Sequence, residues 1–593
     1  MRDLYHFYSE RKNDFTEQCE AIRRSIRKVA WARLLLALLF IVVLYLSFSN
    51  SILWYGLVPL AIFFGAFVSK HARLSQQLQR CENLVKLNEL EIKSLDHSYS
   101  EFGDGSAFIN PHHAYSYDLD LFGPGSLYQY LNRCGTAIGE VQLARALQSG
   151  QESGEIIVQR QVAIHELAEK VAMRQQFWAE GHLLKDSVSE NTALIEWLDK
   201  PNVVKGRRGI ELLLIIFPLI SLVLIALCFY AIKFFPLLMV FGAVQWYVIS
   251  LFSKETLKAE QALSHYRTIF EKYARLLNEI DKEVFSSEKL TSIQQEARLA
   301  SDRIKKFSQL VNAFESRKNG FANLFGNSLY LFDLQCLFKL EKWRAENRTQ
   351  VPSWLNKIAE MDALVSLATF HFNNPQNVFP IIDHQVKMEG KNVGHPLINI
   401  KERVANTFSL GNPQKIILVT GANMAGKSTF LRTVGVNLVL AQAGCSVCAN
   451  EFSFSLMNLF TSMRATDSLV EHQSYFYAEL TRLKLIMEEI RSGRPALVLL
   501  DEILRGTNSK DKQEGSIGLL KQFVSHDVLV MLASHDVALG DLEQQFPESI
   551  RNFCFESEIE KDALTFDYTL HPGVAHKANA TFLMQKMGIL PPQ

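Results

Sequence analysis

Ile416-Ile417-Leu418-Val419-Thr420-Gly421-Ala422-Asn423-Met424-Ala425-Gly426-Lys427-Ser428-Thr429 is the stretch whose reading decides the fold. Ile416 to Val419 form a short continuous apolar run, the pattern of a strand buried on both faces. Gly421 and Gly426 then bracket a loop with the spacing G-x4-G-K-S, and a helical pattern follows from Thr429. Glycines let a backbone curl until its N–H groups face one point, and the next helix adds the positive end of its dipole; both suit a phosphate. Gly421, Ala422, Asn423, Met424, Ala425, Gly426, Lys427, Ser428 and Thr429 are therefore expected to cradle a nucleotide. Lys427 is placed on the β and γ phosphates and Ser428 on Mg2+, so ATP and Mg2+ are the expected cofactors.

Working outward, Leu497-Val498-Leu499-Leu500 is a second buried-strand run, and it ends in Asp501-Glu502. Carboxylates at the C-terminal end of such a strand stand over the sheet edge where a nucleotide lies. Asp501 is expected to hold Mg2+ through water, and Glu502 to orient or deprotonate the attacking water. An acidic pair there also suits a helix N-cap. A third run, Val528–Ala533, leads into Ser534-His535, with His535 where a γ-phosphate sensor would stand; a lone histidine also serves structure. The β-branched runs 415–420, 496–500 and 528–533 alternate with helical patterns, which predicts a parallel α/β sheet over residues 378–593.

Upstream the texture differs. The 593 residues carry formal net charge +0, so no global basic excess points to nucleic acid. Four apolar runs, Trp31–Phe48, Ile52–Val68, Leu212–Ile232 and Phe234–Phe252, each approach the ~20 residues that cross a bilayer, with Trp and Tyr near several ends. Arg23, Arg24, Arg27, Lys28 and Arg33 precede the first pair, and Lys70 and Arg73 follow it. Lys205, Arg207 and Arg208 precede the second, and Lys254 and Lys258 follow it. The positive-inside rule then predicts two transmembrane hairpins in the inner (plasma) membrane, with all soluble segments cytoplasmic. The expected organisation is an N-terminal cytoplasmic helix (1–30), hairpin 1 (31–69), a juxtamembrane helix and linker (70–116), and a helical core, first part (117–205). Hairpin 2 (209–253), a second helical part (254–377) and the α/β ATPase domain (378–593) follow. Residues 255–350 read as long charged amphipathic helices, compatible with a coiled-coil arm. The eight cysteines form no framework, which fits a reducing compartment. Cys445-Ser446-Val447-Cys448 has metal spacing but no second pair, and reads more simply as two buried strand residues.

At Thr420–Thr429, at Asp501-Glu502-Ile503-Leu504-Arg505-Gly506-Thr507 and at Ser534-His535, the chain resembles the MutS family of ABC-type mismatch-repair ATPases. The Asn423-Met424 pair and Arg505-Gly506-Thr507 are more specific than a generic phosphate loop. Gln473-Ser474-Tyr475-Phe476-Tyr477-Ala478-Glu479-Leu480 looks like that family's signature segment. The resemblance implies a composite site in a homodimer formed through the ATPase heads. There Ser474 of one subunit caps the γ-phosphate held by the other, with Asn423 nearby; read by itself, Ser474 is a helix cap. Leu127–Gly139 looks like the start of the family's helical lever region, and Gly394-His395-Pro396 like the segment before its sheet. The similar parts cover roughly 115–200 and 255–590.

Departures from the family pattern matter equally. No region resembles the mismatch-reading domain, and Phe15-Thr16-Glu17 matches its Phe-x-Glu pattern only by composition. Arg403 stands where the family often places an aromatic that stacks on adenine, and a guanidinium can stack. The C-terminal dimerisation tail looks short. Two functions stay open: a membrane-anchored ATPase whose dimeric clamp binds DNA through the helical lever region, or a membrane-bound ATPase acting on proteins or the envelope without DNA. A transporter ranks last, since the spans carry no charge away from their edges, where Arg33 and Glu211 stand.

Overall fold

The computed structural model describes residues 3–150, 153–316, 320–464, 475–560 and 563–575. Two rods open the chain: the helices Leu4–Ser47 and Trp54–Leu95, of 44 and 42 residues, packed along each other around a turn at Ser51–Leu53. At 1.5 Å per residue each is about 65 Å long, roughly twice the hydrocarbon thickness of a bilayer. One rod joins the charged N-terminal segment to the first apolar run; the other joins the second apolar run to the heptad-like segment after it. The apolar parts face outward, with Leu35 63% exposed. A second pair, Arg208–Tyr230 and Phe235–Ser250, does the same around a turn at Ile232–Phe234, and Phe229 is 89% exposed. All four helices are long and apolar enough to cross a membrane.

The far ends of the rods dock on a helical core. Tyr8 is buried and donates to Asn373 Oδ1 at 2.6 Å. Arg133 meets Glu91 at 2.6 Å with both side chains buried, and Asn373 Nδ2 donates to the same carboxylate at 2.9 Å. Removing one partner of such a pair costs about 3–5 kcal/mol. Two of the eight cysteines, which form no framework in the sequence, meet between the rods. Cys19 and Cys81 form a disulfide between the rods, with Cα atoms 5.8 Å apart. Nothing in their spacing announces it; the pairing of two long helices does.

Inside the core, helix Gln350–Asn373 lies against helices Ala137–Gln148 and Gly154–Glu169. Asp362 is buried and accepts from Gly135 N at 3.0 Å, Thr136 N at 2.9 Å and Thr136 Oγ1 at 2.7 Å. Burial pushes its carboxyl up to about 7 while those donors pull it down. A Cβ on Gly139 would stand 2.1 Å from Asp362 Oδ2, so the carboxylate fills the space that glycine leaves. The helices Ser253–Lys282 and Glu288–Ser316 are not a free coiled-coil arm. They fold back as a hairpin, because Phe270, Phe307 and Trp343 pack their rings at a tilt within the core and Lys272 pairs with Asp186 at 2.5 Å, both buried.

The C-terminal part is mixed α/β. Its strands are β1 (Ile381–Asp383), β2 (Lys387–Val393), β3 (Asn406–Gly411), β4 (Ile416–Gly421), β5 (Glu451–Ser455), β6 (Asn458–Ser462), β7 (Ala496–Asp501), β8 (Leu529–Ser534), β9 (Ile550–Glu560) and β10 (Ala563–Pro572). They form a small sheet ordered β1-β5-β2-β3 and a larger one ordered β10-β9-β4-β8-β7-β6. β4, β7 and β8 are buried at every position and pair in parallel, which is why each reads as an unbroken apolar run. The register sets Thr420 beside Ser534 and Asp501 beside Ala533, so three strand ends open on one edge. Cys445 and Cys448 are buried, in an irregular segment rather than a strand; Val447 makes a single bridge to Val378. No group of three metal-ligating side chains occurs among the described residues.

Candidate nucleotide site

The loop between β4 and helix Lys427–Gln442 is built from backbone that side chains resist. Gly426 has φ +106° and caps the helix, and Met424 has φ +67°. This curl leaves the helix N-terminus facing a cleft of about 570 Å³. Asn423, Met424, Ala425, Gly426, Lys427, Ser428 and Thr429 all line it, as does Glu502. Lys427 is buried and turns back on the loop, donating to Gly421 O at 2.8 Å and Ala422 O at 2.9 Å. Burial holds its ammonium below the usual lysine range, opposed by the nearby Glu502 and Asp501. Gly421 and Ala422 thus act through their carbonyls, which seat the lysine.

Asp501 closes β7 as a buried carboxylate, and its Oδ1 has no hydrogen-bond partner in the protein. A buried acceptor without a donor is costly unless a cation or its water satisfies it, so the residue fits a divalent metal. Glu502 follows with φ +50°, a strained turn that swings its side chain over the strand end. Its Oε1 lies against His535 Nε2 and its Oε2 stands 3.3 Å from Arg505 Nε. The His535 hydrogen bond, helped by charge from His535, Arg505 and Lys427, pulls the Glu502 carboxyl down to about 2 against the opposing effect of burial. His535 Nδ1 lies 2.8 Å from Gly421 O and 3.4 Å from Lys427 Nζ. The three strand ends therefore share one network: Lys427, Glu502 and His535, closed on the Gly421 carbonyl.

One expected residue stands elsewhere. Arg403 does not line the cleft. Its Nε donates to Ile398 O at 3.1 Å and its Nη1 lies on Cys448 Sγ, drawn inward beneath Gly394, where a Cβ would meet Arg403 Cδ at 2.4 Å. Ser474 lies outside the described residues. Beyond the loop the cleft is lined by residues of the 393–406 segment, Val404 and His395 among them, and, from the distant β10, by Tyr568. Tyr568 has φ +54° at a bulge in β10, fixed by Asn406, which donates to Tyr568 O at 3.0 Å and accepts from Leu570 N at 2.8 Å. Its ring lies over the loop: a Cβ on Gly426 would approach Tyr568 Cδ1 to 3.1 Å. Glu479 was missed as well. It accepts from Leu504 N at 2.6 Å and Arg505 N at 3.3 Å, tying helix Tyr475–Arg491 to the turn after Asp501. Tyr568 has no local motif, and Glu479, although inside the 473–480 segment, acts across a tertiary contact that the segment does not announce.

The loop, the orphan carboxylate and the aromatic wall fit a nucleoside triphosphate with its metal. Comparison with known proteins agrees in kind. Residues 417–591 match the family model described as MutS domain V. The DNA mismatch repair protein MutS of Thermotoga maritima is 30% identical over 237 residues, covering 39% of this chain and 29% of that protein. Those of Bacillus velezensis and Anaplasma phagocytophilum are 28% identical over 236 residues and 32% over 226 residues, each covering 27% of the relative. The chain thus spans under a third of the length of the curated relatives it matches.

Gly426→Ala tests the loop's geometry directly. A methyl group at φ +106° meets Tyr568 and strains the turn; at about 1–3 kcal/mol, nucleotide affinity is expected to fall about ten- to hundredfold. Titration with a fluorescent ATP analogue checks it, with circular dichroism confirming that the fold is retained.

Proposed function

We propose that this chain, which belongs to the MutS family through its C-terminal domain, is a membrane-anchored ATPase that binds and hydrolyses ATP with Mg2+ in the cleft above β4, β7 and β8. The observation that carries this reading is the convergence of Lys427, Asp501, Glu502 and His535 at three adjacent strand ends. Lys427 leaves the Gly421 and Ala422 carbonyls to meet the β and γ phosphates. Ser428 and Asp501 hold the metal, Asp501 through its unpartnered Oδ1 by way of water. Bound Mg2+ supplies charge neutralisation on the phosphate oxygens. Tyr568 and Val404 wall the base, in the place first given to Arg403.

Glu502 is the residue for the attacking water, but held by His535 and Arg505 it is a poor base. A carboxyl near 2, clamped by His535 and Arg505, has little pull on a proton. Its release from that clamp is therefore part of the cycle, and His535 is then free to face the γ-phosphate. Ser474 in trans completes the site in a homodimer of ATPase heads, and ATP-driven closure of the heads moves the helical region. The four outward-facing apolar helices anchor the protein in the inner membrane, with basic flanks and ATPase heads on the cytoplasmic side.

The relatives matched are named DNA mismatch repair proteins, and DNA binding through the helical lever region is the reading we favour. Action on proteins or the envelope without DNA is the alternative, supported by the zero net charge and the four apolar helices.

Lys427→Ala is expected to abolish nucleotide binding or turnover. Glu502→Gln is expected to retain ATP while phosphate release falls by orders of magnitude, about 10²–10⁴-fold for a lost general base. Ordinary turnover in Glu502→Gln would remove its assigned role. Filter binding to duplex DNA across a salt series separates the two readings of purpose. A phosphate-contacting clamp shows a steep loss of affinity with salt, whereas no retention at low salt, with or without an ATP analogue, removes DNA.

A further inference from the structure

Helix Gly320–Tyr330 stands apart from the other helices of the second helical part, because it packs against the apolar hairpin formed by Arg208–Tyr230 and Phe235–Ser250. The contact is close. Trp246 Nε1 donates to Ser328 Oγ at 2.9 Å, and a Cβ on Gly242 would lie 3.5 Å from Ser328 Cβ. In the sequence, the run from Asn319 to Phe332 has no Asp, Glu, Lys or Arg, and Arg317-Lys318 precede it. Leu324 and Phe325 are 51% and 60% exposed, and so extend the exposed apolar surface of the hairpin.

Depth follows from helical rise. Trp246 and Gly242 lie four and eight residues before Ser250, where the helix ends, or about 6 and 12 Å along its axis. If Ser250 marks the cytoplasmic face of the spans, Ser328 lies within the nearer half of a ~30 Å hydrocarbon layer. A helix of 11 residues is about 16 Å long and cannot cross that layer.

Backbone in hydrocarbon needs its polar groups satisfied from within the protein, and such partners are present where the helix ends. Leu331, with φ +50°, turns the chain into helix Phe332–Asn347, and Asp333 N donates to Asn327 Oδ1 at 2.9 Å across that turn. Pro218 interrupts helix Arg208–Tyr230 and leaves the Leu214 carbonyl without its usual N–H donor. Gln335 Nε2 supplies one at 2.6 Å. Glu341, one and a half turns further on, accepts from the N–H groups of Val203, Val204 and Lys205 at 2.6, 2.9 and 2.8 Å, fixing the entrance to the hairpin.

We propose that Gly320–Tyr330 is a re-entrant membrane element, seated on the second hairpin and meeting the acyl chains of the cytoplasmic leaflet through Leu324 and Phe325. This rests on the membrane reading above, and the test separates the two. The full chain is reconstituted in phospholipid vesicles with p-benzoylphenylalanine in place of Phe325, of Phe229 in the hairpin or of Leu485 on the ATPase domain. After irradiation, phospholipid adducts are read by mass. Adducts at 325 and 229 with none at 485 are expected. An adduct at 229 and none at 325 overturns the proposal alone; none at 229 or 325 overturns it together with the membrane reading. Equal adducts at all three positions show indiscriminate capture and also overturn it.

Discussion

Parallel register between β4, β7 and β8 is the constraint on which the site depends. With Thr420 beside Ser534 and Asp501 beside Ala533, the residues just past each strand leave the sheet side by side. Gly421 O then takes Lys427 Nζ and faces His535 Nδ1, both at 2.8 Å, while Glu502 N donates to Ala533 O at 2.9 Å. A slip of one residue in any strand would turn its buried face and carry the polar group at its end away from the other two. Full burial of all three strands makes such a slip expensive, so hydrophobic packing fixes the geometry of the polar groups.

The same domain is bolted to the helical part by a short acidic segment. Asp118 is buried and accepts from Thr461 Oγ1 at 2.6 Å, Arg464 N at 3.1 Å and Arg482 Nη2 at 3.1 Å. Asp120 pairs with Arg432 at 2.6 Å and Arg464 at 2.5 Å. Arg432 belongs to the helix that follows the phosphate loop, and Arg482 to the helix whose Glu479 holds the turn after Asp501. Charge-assisted hydrogen bonds thus tie the elements on either side of the loop to the helical core. From there the buried network of Arg133, Glu91, Asn373 and Tyr8 continues to the base of the first rod pair.

What was legible in sequence is what is local in structure. The strand–loop–helix at 416–429, the acidic pair and His535 are each defined by their neighbours in the chain, and the apolar runs by composition. What was not legible depends on distant pairing. Tyr568 reaches the cleft through a bulge held by Asn406, more than a hundred residues away in the chain. Cys19 meets Cys81 only because two long helices pair. Spacing back from the loop leads to Arg403, but the turn at 395–403 draws its guanidinium under Gly394 and onto Ile398 O and Cys448. The charged pattern at 255–350 gave amphipathic helices correctly, but not that Phe270, Phe307 and Trp343 would fold them back on the core.

Lys427 and Glu502 are both engaged with protein partners, so the proposed nucleotide binding requires each to exchange them. A structure of the full chain with Mg2+ and a non-hydrolysable ATP analogue measures this directly. The expected result is Lys427 Nζ moved from the Gly421 and Ala422 carbonyls to phosphate, Asp501 Oδ1 satisfied by the metal's water, and Glu502 parted from His535. A folded chain whose cleft stays empty at saturating analogue, with Lys427 still on its own loop, would contradict the account at its root.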